Sequence, residues 1–475
     1  MRRGGYLALA VALVMTLTSP LYAAAPKAGA KCLKKSATVT SGGKLFTCIQ
    51  SGKKLVWNKG IAIKKPAPVA TPTPTPSSSP TPVALPTATP TSSPTPTVVN
   101  YELTDPNKFK KLVDCQLYSK VQASEHYGFP RPANLIPTIG EHRSIALFVY
   151  FDDLPFEQRQ FDEWRNNQIP TLEKYLMEMS YGKLKYKVDI YNKPIHIRKS
   201  VLTYNLDTDH DAPMKPNANA GGLVSDAVVA ADAEIDFSKY EFINVITPWT
   251  RLIGFEGTTG VRLTADGKQF NFASFGPIRE YLDDPTKKIW LLHEVGHMMG
   301  LLHQFNVRGE WGRTGYPIWS AMANGTSPVP EFMAWEKFLL GWFSEEQVRC
   351  IENFEQGAFT SKLTSLSVSD DGAKTIFVKQ SASQILVIES RRSSDLGKLS
   401  KEEEGVLVYT IDTNTRSGDG AANLIFNSAK TRRLPNGGGG LIGTLQAGES
   451  VTSSGVKVEV LYSDTSGDII KVSKS

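Results

Sequence analysis

Histidine and cysteine are both scarce in this chain: seven and four residues respectively among 475. With so few cysteines the molecule must be held mainly by apolar cores, and its length, enough for roughly three domains, is ample for them. Long apolar runs are missing beyond Leu17, which excludes an ordinary membrane span further along. No recognised nucleic-acid-reading motif is present, so DNA and RNA are poor candidates for partners. Acidic residues are absent from residues 26–65, where ten lysines stand. Residues 66–99 hold little but Pro, Thr, Ser and Ala, with eleven prolines, and cannot bury a core.

What is present begins with Arg2 and Arg3 ahead of the apolar run Tyr6 to Leu17, followed by Ala23, Ala24 and Ala25. That order predicts a secretory signal peptide over residues 1–25, with an uncleaved anchor as the alternative. The mature chain is then expected outside the cell, secreted or wall-associated, where disulfides persist. Residues 26–65 read as a small basic module stapled by Cys32 and Cys48, with strands at Lys44–Cys48 and Lys54–Trp57. Of the formal charge of +6, this module and the two leading arginines carry +12, so the remainder carries −6. A basic patch of this kind could hold an anionic cell-wall polymer or a membrane surface, or serve only as a solvated face. Residues 66–99 would be an extended spacer between it and the rest.

The chemistry concentrates in His293-Glu294-Val295-Gly296-His297-Met298-Met299-Gly300-Leu301-Leu302-His303, which takes up three of the seven histidines. Residues four apart share a helical face, so His293 and His297 can grip one ion. Gly300 permits the positive φ of a sharp helix stop, and the returning chain offers His303 as a third ligand. Three nitrogens and one open position suit a catalytic zinc, with Glu294 placed to take a proton from the metal-activated water. Asp284 and Pro285 predict the N-cap and first position of the helix.

The extended pattern resembles the metzincin metallopeptidases, which add a methionine turn under the metal. Trp319-Ser320-Ala321-Met322-Ala323-Asn324-Gly325 is the matching stretch, with Met322 nineteen residues past His303. Ser180–Leu184, Asp236–Tyr240, Ala334–Trp342, Leu386–Arg391 and Gly405–Asp412 extend the likeness to the immune-inhibitor-A-like secreted metallopeptidases of bacteria, over roughly residues 140–475. In that family the third ligand is often Asp; here it is His303, and both bind zinc. The resemblance implies an α+β fold: a metzincin-like zincin domain with a mixed sheet and a zinc-binding helix over residues 100–355, followed by a β-rich C-terminal domain over 356–475. It implies a zinc endopeptidase with Glu294 as general base, acting on protein or peptide substrates. The alternative is a non-catalytic surface-binding protein with a vestigial zinc site, against which the intact Glu294 argues.

Other features are weaker. Asn205, Asp207, Asp209 and Asp211 could supply calcium oxygens, although no glycine-centred loop of the EF-hand type follows. His126, His142 and His196 stand alone and read as structural or surface residues. Tyr316 could assist the reaction or simply pack its loop. Asn324-Gly325-Thr326 matches a glycosylation sequon but sits where a turn is expected. Cys115 and Cys350 predict a long-range disulfide; the rival is Cys115 as a thiolate holding the metal latent. Helices are expected near 158–179 and 222–233, and strands at 144–151, 185–191 and 242–247. Past Cys350 the expected elements are strands, at 375–379, 385–389, 406–411, 456–461 and 469–472.

Overall fold

The computed structural model describes residues 28–31, 38–41, 44–51, 54–62, 100–121, 126–133, 135–206, 219–248, 261–270, 273–277, 290–304, 319–323, 331–355, 357–426, 432–433 and 441–475. The signal peptide, Cys32, the Pro-rich spacer, Asp207, Asp209, Asp211, Asp284–Pro285, Tyr316 and Asn324–Thr326 lie outside the described residues. The chain divides into two compact units, Met1–Pro96 and Thr97–Ser475.

Among its described residues the first unit carries four short strands, β1 (Thr38–Ser41), β2 (Lys44–Ser51), β3 (Lys54–Trp57) and β4 (Ile61–Ala62), all antiparallel and all joined through β2. Among its described residues Phe46 and Cys48 are buried. Cys48 is disulfide-bonded, and the expected Cys32 end of that bond lies outside the described residues.

In the second unit β5 (Gly140–Phe151) forms the centre of a sheet. A helical run then follows as α1 (Gln158–Glu163), a π-helical segment (Trp164–Gln168) and α2 (Ile169–Met179). The single helix expected over 158–179 is interrupted because Pro170 has no N–H and its ring crowds the carbonyl four residues back; the wider π turn accommodates both. Tyr181 and Gly182, both at positive φ, turn the chain into β6 (Leu184–Ile190), and β7 (Ile195–Ile197) follows. Helix α3 (Ala220–Ala231) leads to β8 (Phe242–Thr247). Asp266 and Gly267, again at positive φ, join β9 (Leu263–Ala265) to β10 (Lys268–Phe270) in the hairpin this dipeptide favours. With β11 (Ala273–Pro277), the sheet order is β11-β8-β5-β6, every pair parallel, and β7 also pairs with β5.

The helices α4 (Trp290–Met298) and α5 (Ala334–Leu339) precede a second sheet. Its strands are β12 (Val348–Ile351), β14 (Thr375–Lys379), β15 (Gln384–Arg391), β16 (Gly405–Asp412) and β17 (Ala422–Leu424), in that order; β13 (Phe359–Leu363) falls between the first two in the chain but joins another sheet. The short pair β18 (Arg432–Arg433) and β19 (Leu441–Ile442) precedes β20 (Ser450–Ser453), β21 (Val456–Asp464) and β22 (Gly467–Lys474), which with β13 make the last sheet, β13-β22-β21-β20.

Side chains on a strand alternate between faces, and the buried positions show which layers meet. On β5, Ile145, Leu147 and Val149 pack toward α3, while Ala146 and Phe148 pack toward α1, α2 and α4. On β15, Ile385 and Val387 enter that same central core, while Leu386 and Ile388 face the last sheet. Both strands are covered on both sides, which is why their sequences read as unbroken apolar runs. The fold is thus mixed α/β, with several sheets, few helices and β-rich C-terminal layers. One central core holds α4, α5 and the inner face of the second sheet together. Cys115 and Cys350 are bonded to each other, as expected, and both are buried in this core, so Cys115 is not a thiolate in this state. Among the described residues no helix is long and apolar enough to cross a membrane.

Candidate metal centre

Helix α4 is short and almost wholly buried: Leu291, Leu292, Val295 and Met298 all lie in the central core. His293 and His297 share one face of it, with 8% and 5% of their surface exposed. Gly300, at φ +90°, ends the helix as the sequence predicts; a Cβ there would also stand 2.5 Å from Leu135 Cδ1. The segment Leu301–Gln304, in no helix or strand, then brings His303 to the other two histidines.

The three Nε2 atoms converge. His297 Nε2 lies 3.1 Å from His293 Nε2 and 2.9 Å from His303 Nε2. The opposite ring nitrogens fix what these contacts are. His293 Nδ1 is 2.7 Å from the Ala321 carbonyl and His297 Nδ1 is 2.8 Å from the Leu301 carbonyl. A carbonyl only accepts, so each Nδ1 carries the proton and each facing Nε2 presents a lone pair. Two lone pairs at 3.1 Å repel unless a cation lies between them. About 3.3 Å is the nitrogen separation expected for a tetrahedral site with metal–nitrogen bonds of about 2.0–2.1 Å. The donor set therefore fits a divalent metal of the zinc type, and the three histidines could hold one.

The electrostatics agree. Burial pushes the His293 ring below its usual range, against an upward pull from the Ala321 carbonyl. Burial, then His303 and His293, push His297 well below. Burial and His293 push His303 down to about 3. All three rings are therefore neutral near pH 7, the form that donates a lone pair to a metal. Glu294 is buried beside His293 on α4, 6% exposed.

Beneath the helix lies the turn Trp319–Ala323, in which all five residues are buried. Ala321 supplies the carbonyl that orients His293, and Met322 packs against Gly296: a Cβ on that glycine would meet Met322 Sδ at 2.3 Å. The methionine expected under the site is thus packed there, and the helix needs glycine at that rung to admit it. The backbone N–H of Gln304 donates to the Met322 carbonyl at 3.0 Å, fastening the third-ligand segment to the same turn.

Two buried clusters brace this assembly, and neither was anticipated from the sequence. Glu336, on α5 and fully buried, accepts from Tyr127 Oη, Gln304 Nε2, Ser320 Oγ and the Met333 N–H at 2.6–2.8 Å. Burial raises its pKa despite those donors, since no cation is among them. The second cluster joins Lys337 to Glu331 at 2.6 Å, and Arg391 to Glu389 at 2.6 Å and to Glu331 at 3.4 Å, all at most 1% exposed. Arg391 also donates to the Trp319 carbonyl at 3.0 Å. Burial alone would raise the Glu331 carboxyl, but Lys337 and Arg391 hold it below its usual range. The one available signal was a pair of charges, Glu336 and Lys337, inside the apolar stretch Phe332–Trp342.

The other described histidines, His126, His142 and His196, stay apart from this centre. His126 Nδ1 accepts from the Gly128 N–H, His142 lies between Glu241 and the Ile139 carbonyl, and His196 stacks on Tyr150 beside Asp152. Asn205 caps a short 3-10 turn in the left-handed region. No model of a known protein family matches the chain, and no curated protein matches it either.

Proposed function

We propose that this chain is a secreted zinc-dependent endopeptidase of the immune-inhibitor-A-like kind, built on a metzincin-like zincin fold. The observation that carries the reading is the convergence of three Nε2 atoms, with the Nδ1 atoms of His293 and His297 committed to backbone carbonyls. In this reading His293, His297 and His303 hold zinc. When bound, the ion would polarise the scissile carbonyl and make water acidic enough to attack near neutral pH. Glu294 accepts the proton of the attacking water and returns it to the amine as the C–N bond breaks. The buried walls, with Val295, Met298 and Met322 around the ligands, lower the local dielectric and strengthen these interactions.

The wider organisation follows the same reading. Residues 1–25 direct export, residues 100–355 contain the peptidase machinery, and the β-rich stretch 356–475 supports it. The basic module, at the end of its spacer, holds an anionic wall polymer while the substrate is protein or peptide. A surface-binding protein that only retains the metal is the second reading, favoured by the strongly basic composition of residues 26–65.

The test is zinc content and casein hydrolysis by the full chain beside Glu294→Ala. Chelator-sensitive cleavage with about one zinc per chain, lost in the variant while zinc stays, supports the peptidase. One zinc without cleavage favours the surface-binding reading. Absence of bound zinc defeats the metal reading altogether.

A further inference from the structure

The third ligand sits on a non-helical segment, and such a segment needs partners to fix it. Gly300 has released the chain from α4, and residues 301–304 belong to no helix or strand. The Gln304 N–H is taken by the Met322 carbonyl on one side. On the other, the His303 N–H donates to Ser417 Oγ at 3.1 Å, and the His303 carbonyl faces the Gly418 N–H at 3.5 Å. Both main-chain polar groups of His303 therefore meet two consecutive residues of the β16–β17 connection, 114 positions away.

That connection is itself fixed. Thr413 Oγ1 donates to the Tyr118 carbonyl at 2.7 Å, Ser119 Oγ donates to the Thr413 carbonyl at 2.6 Å, and the Lys120 N–H donates to Asn414 Oδ1 at 2.8 Å. Asp412 Oδ1 accepts from the Asn414 N–H at 2.9 Å. Gly418 and Gly420 hold φ +78° and +76°, a pair of left-handed positions that lets the chain turn sharply beside His303. The sequence Ser417-Gly418-Asp419-Gly420 is thus shaped to present a hydroxyl and an N–H to one backbone residue.

We propose that Ser417 is a positioning residue for the metal centre: through the His303 main chain, the second sheet sets the place of the third ligand. The inference rests on the three histidines binding metal, and it adds that the centre is incomplete without the β16–β17 connection. Without the Ser417 hydroxyl, the His303 N–H loses its acceptor, and only the 3.5 Å contact of its carbonyl with the Gly418 N–H remains on that side. Partners that orient ligands typically change metal affinity by about 10–100-fold when removed.

The experiment compares the full chain with Ser417→Ala and with Ser417→Thr, which keeps the hydroxyl. Zinc affinity is measured by competition with a chromophoric chelator, and the cobalt-substituted proteins are compared by visible absorption. The expected result is a loss of about tenfold or more in zinc affinity for Ser417→Ala with an altered cobalt band, and near wild-type values for Ser417→Thr. A Ser417→Ala protein that holds zinc within about twofold of wild type, with the same cobalt spectrum, overturns the inference and leaves the metal reading standing. A wild-type chain that binds neither ion overturns both.

Discussion

Gly296 offers the sharpest test of how the metal helix is seated. A methyl group there would lie 2.3 Å from Met322 Sδ and 3.3 Å from both Met322 Cε and Phe332 Cζ. Met322 and Phe332 are fully buried, so neither has free space to retreat into. Overpacking of this kind costs about 1–3 kcal/mol, against which alanine's better helix propensity returns about 1. Gly296→Ala should therefore destabilise the metal-free chain by up to about 2 kcal/mol. It should also weaken zinc binding, because lifting α4 off the turn stretches the 2.7 Å contact between His293 Nδ1 and the Ala321 carbonyl. Met322→Ala alone should cost about 2–5 kcal/mol through the cavity it leaves. In the double variant the new methyl enters that cavity, so the combined loss should fall short of the sum by about 1–2 kcal/mol. Urea unfolding of the four metal-free chains, followed by tryptophan fluorescence, measures the cycle. Additivity within about 0.5 kcal/mol would refute the packing argument.

Two further outcomes are expected. Because burial raises the Glu336 pKa, its contribution to stability is fully present below the unfolded carboxyl value and is lost as pH rises through the folded one. Relative to wild type, Glu336→Gln should accordingly gain stability as pH rises above about 4.5, by at most about 1.4 kcal/mol per pH unit; a pH-independent difference between the two urea midpoints would contradict this. The Cys115–Cys350 bond closes a loop of 235 residues, so the double Ser variant should lose about 2–5 kcal/mol by urea unfolding while keeping its zinc stoichiometry. An unchanged midpoint would show that the bond adds nothing.

The candidate ligands were readable because one helical turn and one glycine place them within eleven residues of each other. The apolar runs of β5, β15 and β16 were readable for a related reason: burial on both faces leaves no polar alternation to confuse the pattern. The π segment before α2 required weighing Pro170 against a helical pattern that continues on either side of it. The bracing was not readable, since its contacts are chosen by topology. Tyr127 and Glu336 are 209 positions apart, and His303 and Ser417 are 114 apart. No local rule pairs residues across such distances.

Glu336 and Lys337 mark where sequence reasoning stops and why. Adjacent residues on a helix point in different directions, so these two opposite charges cannot neutralise each other. Their apolar neighbours predict that both are buried, and a buried charge must find partners. The sequence therefore announces two demands without saying who meets them. Glu336 is met by neutral donors from the third-ligand segment and the methionine turn, Gln304 and Ser320 among them. Lys337 is met by Glu331, which also faces Arg391 on β15, and Arg391 reaches back to the Trp319 carbonyl at the start of the same turn. The two chains of contact begin one residue apart on α5 and end on the same five-residue floor beneath the three histidines. Arg391→Ala would leave Glu389 buried without its arginine, and Glu331 with Lys337 alone, at a cost of the order of 3–5 kcal/mol for a broken buried pair. That places part of the support for the candidate metal centre in the C-terminal strands, about ninety residues after the motif that supplies its three histidines.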